Sequence, residues 1–266
     1  MRREAGDSPQ LREAPGRRAS PQGGSRPRGP RPFFRPVLLA FQGLQLKPTV
    51  ILLVSSVTLV TWKCFASPQY LEQLARRCGG FSDPQAAGAI GSFASALLFL
   101  GLLPALIVKL VFREKLADYG VGLGNRPRTV RSFLICAPIV LLIAYLSAGS
   151  ASLGSEYPVD HLARVSQWGF ALHALTYLLF YLGWEFQFRG FMQHGLEESM
   201  GPSSALLVQV LASVLLHIGK PTGEIYGSII GGVLWGLLAY RTRSLLSGML
   251  QHFLLGIALD WFICHA

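Results

Sequence analysis

Seven stretches of the chain are almost uninterrupted in apolar residues, and the charged residues collect between them. They run roughly Thr49–Ala66, Ala86–Phe112, Val130–Ser150, a fourth from near Gln167, Ser203–His217, Ile225–Tyr240 and Leu245–Ile263. Runs that are apolar all round predict helices surrounded by lipid rather than amphipathic helices on a soluble core. The expected fold is all-α, a polytopic membrane bundle of about seven transmembrane helices. The fifth and sixth runs are short for the roughly 20 residues a span needs, so their ends must be tilted or shared with loops. Ahead of the first run, "FFRPVLLAFQGLQLKP" is amphipathic, suits the membrane interface and stops at Pro48.

Composition agrees with lipid as the solvent. Hydrophobic residues make up 51% of the 266 and charged residues only 14%, with a mean hydropathy of +0.40. The net charge of +10 points to no nucleic-acid partner, because of where it lies. Residues 1–36 carry nine arginines against three acids and seven of the sixteen prolines, with almost nothing apolar before Phe33. That segment cannot bury enough surface to fold and is expected to be a disordered basic tail near the membrane. The chain thus divides into a tail, 1–36, and a membrane domain, 37–266, with no cleavable signal peptide expected. Tail, the loop "KLVFREKLADYGVGLGNRPRTVR" and Arg241/Arg243 fall on one side, which by the positive-inside rule puts the N-terminus inside and the C-terminus outside. Cys64, Cys78, Cys136 and Cys264 form no C-x-x-C pair, so no cysteine zinc or redox motif is expected. Cys136 and Cys264 read as small core residues. Cys64 and Cys78 share a loop that could close a disulfide.

Polar residues inside the fourth run change the picture. "YLLFYLGWEFQFRGFMQHGL" places Glu185, Gln187, Arg189 and Gln193 at bilayer depth, where each charge costs about 2.5–3.5 kcal/mol to insert. Glu185 and Arg189 are four apart and share a helix face with Tyr181 and Gln193. An internal ion pair accounts for both charges, but two histidines suggest more. Gly201-Pro202 marks a turn, and Glu185 and His217 lie sixteen residues either side of Gly201. Equal distances along an antiparallel hairpin mean equal depth, about 24 Å at 1.5 Å per residue, so the two are expected to face each other. His252, in the seventh run, also reaches the buried zone. A glutamate and two histidines on three helices suit hydrolysis, with the glutamate deprotonating water and a histidine holding the oxyanion. The same three could instead hold zinc that activates the water.

Other polar residues have plainer readings. Glu224 stabilises the start of the sixth helix, with a role in the site as the alternative. His161, His173, His194 and His265 lie near span ends and read as interfacial, and Glu197 and Glu198 as a solvated helix end. Gly227, Gly231, Gly232 and Gly236 form overlapping G-x-x-x-G pairs that allow close packing within the bundle. H-E-x-x-H, G-x-S-G and G-x-G-D are all absent.

"WEFQFR" followed by "GF", then "SVLLH" running on into "IGKPTGE", then "HFLLG", resemble the three motifs of the CPBP family. That family comprises type II CAAX prenyl proteases, their bacterial relatives and related bacteriocin-immunity proteins. Its pattern is E-E-x-x-x-R, F-x-x-x-H and H-x-x-x-N on separate membrane helices, and the likeness covers roughly 160–262. It implies a glutamate-dependent intramembrane endopeptidase acting on membrane-associated peptides or proteins, here in a bacterial plasma membrane by its similarity to that branch. Carried over, the site is Glu185, His217 and His252, with Arg189 and Glu224 in support and zinc as an open cofactor. Trp184 stands where the pair's first, water-activating glutamate would be. Gly256 stands where a side-chain donor, often Asn, would help hold the oxyanion. Ser213 replaces the phenylalanine of the second motif. Two functions follow: a protease with Glu185 as base, or a protein that kept the fold and lost catalysis, acting as a membrane binding or immunity factor.

Overall fold

The computed structural model describes residues 43–266, and the expected basic tail and most of the amphipathic stretch after it lie outside them. Among the described residues the fold is all-α, without strands. Helix α1 is Leu46–Phe65, α2 is Pro68–Cys78 and α3 is Pro84–Phe112. Helix α4 is Arg126–Ala148 and the short α5 is Ala151–Glu156. Helix α6 runs from Gln167–Glu185 through a π-helical stretch, Phe186–His194, into Gly195–Met200. Helices α7, α8 and α9 are Pro202–Leu216, Thr222–Thr242 and Leu246–Cys264. All seven apolar runs are helical, and five of the helices (α1, α3, α4, α8 and α9) are long and apolar enough to cross a membrane. The structure is an integral membrane bundle; its count of crossings is not fixed at seven.

Local chemistry sets the boundaries. Ser67, Asp83, Asn125 and Ser166 each accept the amide of the third residue on, capping α2, α3, α4 and α6. Pro68, Pro84, Pro127 and Pro202 occupy first-turn positions, where a missing N–H costs nothing. Gly201, at φ 80°, reverses the chain between α6 and α7.

Side-chain bridges show which helix ends meet. At one end, Lys47 pairs with Glu114 at 2.8 Å and Arg243 with Glu197 at 3.1 Å, and the Asn125 amide donates to Thr242 O. At the other, Lys63 donates to Leu216 O, Lys220 pairs with Glu156 at 2.8 Å and His161 with Asp83 at 3.1 Å. The membrane-length helices therefore alternate in direction. Burial raises Glu114's pKa, but hydrogen bonds from Lys47 and Tyr119 outweigh it and hold the carboxyl below the usual range.

Helices α3 and α6 touch backbone to backbone, since a Cβ on Gly183 would fall on the Ala96 carbonyl oxygen, with Leu97 Cα only 3.0 Å away. Rigid backbone cannot yield as a flexible side chain would. Gly183→Val should therefore cost roughly 1–3 kcal/mol or more, read as a lowered unfolding temperature in detergent and a smaller monodisperse fraction. Unchanged stability would show that the two helices can part.

The structure corrects two expectations and narrows a third. Cys64 and Cys78 are free and exposed, and the segment between them is helix α2 rather than an open loop. Eleven helical residues extend about 16 Å, which separates the two thiols. Cys136 and Cys264 are half-buried rather than core. Of the glycine pairs, Gly232 is buried against α7, its carbonyl accepting from Gln209, and Gly236 against α7 and α6, its carbonyl accepting from Gln193 of α6, whereas nothing among the described residues lies within 4 Å of a Cβ on Gly227.

Candidate active site

Helices α6 and α9 run antiparallel and meet along matching four-residue steps. His173, Tyr177, Tyr181 and Glu185 line one face of α6, and Asp260, Gly256, His252 and Gly248 the facing side of α9. His173 Nε2 bonds Asp260 Oδ2 at 2.7 Å, and His252 Nδ1 bonds Glu185 Oε1 at 2.8 Å. Between these pairs Gly256 leaves room for Tyr181, whose hydroxyl oxygen occupies the space a Cβ at 256 would need. Tyr177 closes the same gap, its ring 3.4 Å from that Cβ position.

Glu185 is the last residue before the π-helical stretch, a distortion frequent at functional sites. Arg189, one turn on, reaches Oε1 with Nη1 at 3.2 Å, and both side chains are 2% exposed. The guanidinium also lies over the Trp235 ring, 5.6 Å from its centroid. Trp235 in turn stacks on His252, centroids 3.9 Å apart. One carboxylate oxygen thus serves both an arginine and an imidazole inside the bundle. His252 is the more accessible partner, its side chain 15% exposed.

His217 meets α6 at Trp184, one residue from Glu185, rather than at Glu185 itself. It caps the C-terminus of α7, its Nδ1 donating to Ser213 O at 2.8 Å. No hydrogen bond or ion pair joins it to Glu185 among the described residues. Its ring meets Trp184 edge-on at 5.5 Å. Position 184 therefore faces His217 and position 185 faces His252, so the two histidines are served by neighbouring residues of α6. Trp184 is buried among Trp62, Phe180 and Phe188, an apolar filling where a carboxylate would have met His217.

Because a carbonyl and a carboxylate only accept, both histidines carry their proton on Nδ1 when neutral and turn Nε2 outward as an acceptor. An acceptor nitrogen takes a proton from water and cannot donate to an oxyanion. One hydroxyl beside this pair belongs to Tyr181, whose ring packs on His252 at 4.7 Å. Among the described residues no three of His, Cys, Asp and Glu are gathered to hold a metal ion. Of the three residues, Glu185 and His252 share a hydrogen bond, while His217 faces Trp184 instead.

Glu224 lies in the first turn of α8 and accepts from the Tyr157 hydroxyl at 2.7 Å. Burial, then the Glu224 charge, push the Tyr157 pKa up, so the hydroxyl stays a donor. Gln193 bonds the Gly236 carbonyl and Gln187 the Ser55 hydroxyl, so both serve packing between helices. His173 is a correction: it is fully buried, not interfacial. His194 is 9% exposed, and Glu197 is tied to Arg243 and His194 rather than freely solvated. Sequence reasoning passed over Asp260, whose signal is its spacing, four residues beyond Gly256 and eight beyond His252.

Residues 166–258 match the family model described as type II CAAX prenyl endopeptidase Rce1-like. The match takes in all of α6, α7 and α8 and most of α9, including Trp184, Glu185, Arg189, His217, His252 and Gly256. The resemblance to the CPBP family holds over the segment that carries the site, and it supports peptidase activity in general. No curated protein and no solved structure matches the chain.

Proposed function

We propose, from the match of residues 166–258 to an intramembrane prenyl-endopeptidase family, that this protein hydrolyses peptide bonds of membrane-associated substrates by general-base catalysis on α6 and α9. The observation that carries the proposal is the 2.8 Å contact between Glu185 and His252, buttressed by Arg189. It moves the base from Glu185 to His252. Glu185 accepts from Nδ1, fixes the ring and stabilises the imidazolium that forms. His252 Nε2 takes a proton from water as the water oxygen attacks the carbonyl carbon. The resulting oxyanion accepts from the Tyr181 hydroxyl. When the C–N bond breaks, the imidazolium returns its proton to the leaving nitrogen. His217 offers a second acceptor on the far side of Trp184.

The basic end of the bundle, which holds Lys47, Arg113, Arg128 and Arg243, is placed at the cytoplasmic face by the positive-inside rule. A bacterial plasma membrane remains the setting this reading favours, and lipid the surrounding partner. The alternative, a binding or immunity factor without catalysis, is favoured by Trp184 filling the place of an acid against His217.

The test is to incubate detergent-purified protein with a panel of membrane-spanning and lipidated peptides and analyse the products by mass spectrometry, with and without chelator. Cleavage that persists in chelator and is lost in His252→Ala is expected. Loss in chelator would show that a metal takes part. No cleavage of any peptide, with intact biological function in a His252→Ala strain, would leave the binding reading.

A further inference from the structure

Away from the site, helices α4 and α8 form a groove of about 330 Å³ on the outer face of the bundle. It is lined by Arg128, Arg131 and Arg241 above Ile135, Cys136 and Leu238, with Ser132 between. No carboxylate among the described residues lines it. Among the described residues no ion pair engages any of the three arginines; Arg128 reaches only the Arg241 carbonyl, at 3.5 Å. Three arginines thus border one space with no carboxylate among the described residues to pair with them. All three lie at the basic end, in the first turns of α4 and the last turn of α8. The groove's lining reaches Ile135, and Ile139 and Leu142 lie exposed further along α4.

The geometry points to a binding site for one anionic phospholipid, its phosphate among Arg128, Arg131 and Arg241 and an acyl chain along Ile135 and Leu238. Charge alone would suit any phosphate. The apolar lower wall decides for a lipid, since a soluble anion would leave it bare. Guanidinium groups suit the task because each offers paired N–H donors to phosphate oxygens. Basic pockets between membrane helices at the cytoplasmic face hold such headgroups. This inference is independent of whether the protein is a protease.

Native mass spectrometry of the detergent-purified full chain tests it, with dioleoyl phosphatidylglycerol titrated against dioleoyl phosphatidylcholine. The wild type should retain one phosphatidylglycerol in preference to phosphatidylcholine, less so at high salt. Each arginine near the headgroup is worth roughly fivefold in affinity, so Arg128→Gln/Arg131→Gln/Arg241→Gln should weaken retention about a hundredfold. Arg76→Gln/Arg77→Gln, at the opposite end, should leave it unchanged. Ile135→Trp narrows the apolar wall without touching charge and should also weaken retention, which keeps the test open if the triple variant misfolds. Equal retention of the two lipids would overturn the inference. So would full competition by inorganic phosphate, or the same loss from the Arg76/Arg77 variant.

Discussion

Glu185→Gln is expected to lower turnover on the order of 10⁴-fold while the protein still folds. Glutamine keeps the shape of the side chain, but its amide can donate to His252 Nδ1 as well as accept. The ring is then free to carry its proton on Nε2, the nitrogen that must be bare to take a proton from water. His252→Ala should fall to the same background, and the double variant no further, because residues that act as a unit are not additive. Kinetics on any peptide the wild type cleaves would check this, with thermal unfolding to confirm the fold. Were Glu185 itself the base, Glu185→Gln would abolish turnover while a small basic molecule such as imidazole failed to rescue His252→Ala. Full biological function in a Glu185→Gln strain would remove catalysis from the account. Trp184→Glu is the converse, placing a carboxylate against His217, and a gain in turnover is expected despite the lost aromatic packing.

Arg189→Met should cost about 3–5 kcal/mol of stability, since it leaves the Glu185 carboxylate inside the bundle without its cationic partner. Arg189 is 1% exposed and touches both that carboxylate and the face of Trp235. Losing it removes an ion pair and a cation–π contact together. The double variant Glu185→Gln/Arg189→Met should recover much of the loss, because a buried pair replaced by neutral groups is often close to neutral in stability. A double-mutant cycle on unfolding in detergent reads the coupling. An Arg189→Met protein as stable as the wild type would mean that the pair contributes nothing to the fold.

These two residues also show how far the sequence could be read. Bilayer depth makes every ionisable residue conspicuous, so Glu185, Arg189 and His252 stood out, and four-residue spacing joined the first two. The apolar runs likewise marked each long helix. Hairpin counting brings His217 within one residue of Glu185, since its ring meets Trp184, but a count gives depth and not the rotation that decides which side chain of α6 it faces. His173 and Asp260 were legible only together. Each alone looks like a polar residue near a span end, and the structure shows them as the outer step of the ladder that aligns α6 with α9. Four-residue spacing puts Tyr181 on the right face, but its task depends on an absence four residues beyond His252.

That absence narrows the routes by which the chain can change. The Tyr181 hydroxyl and a side chain at position 256 compete for one volume, so neither Gly256→Asn nor any other added side chain fits while the hydroxyl stays. Tyr181→Phe opens the space but, on the proposed mechanism, removes the donor first. Moving between the two arrangements therefore passes through a state that is either clashing or without a donor. Lineages should be sorted by the pair rather than by either position, hydroxyl-bearing at 181 with glycine at 256, or the reverse.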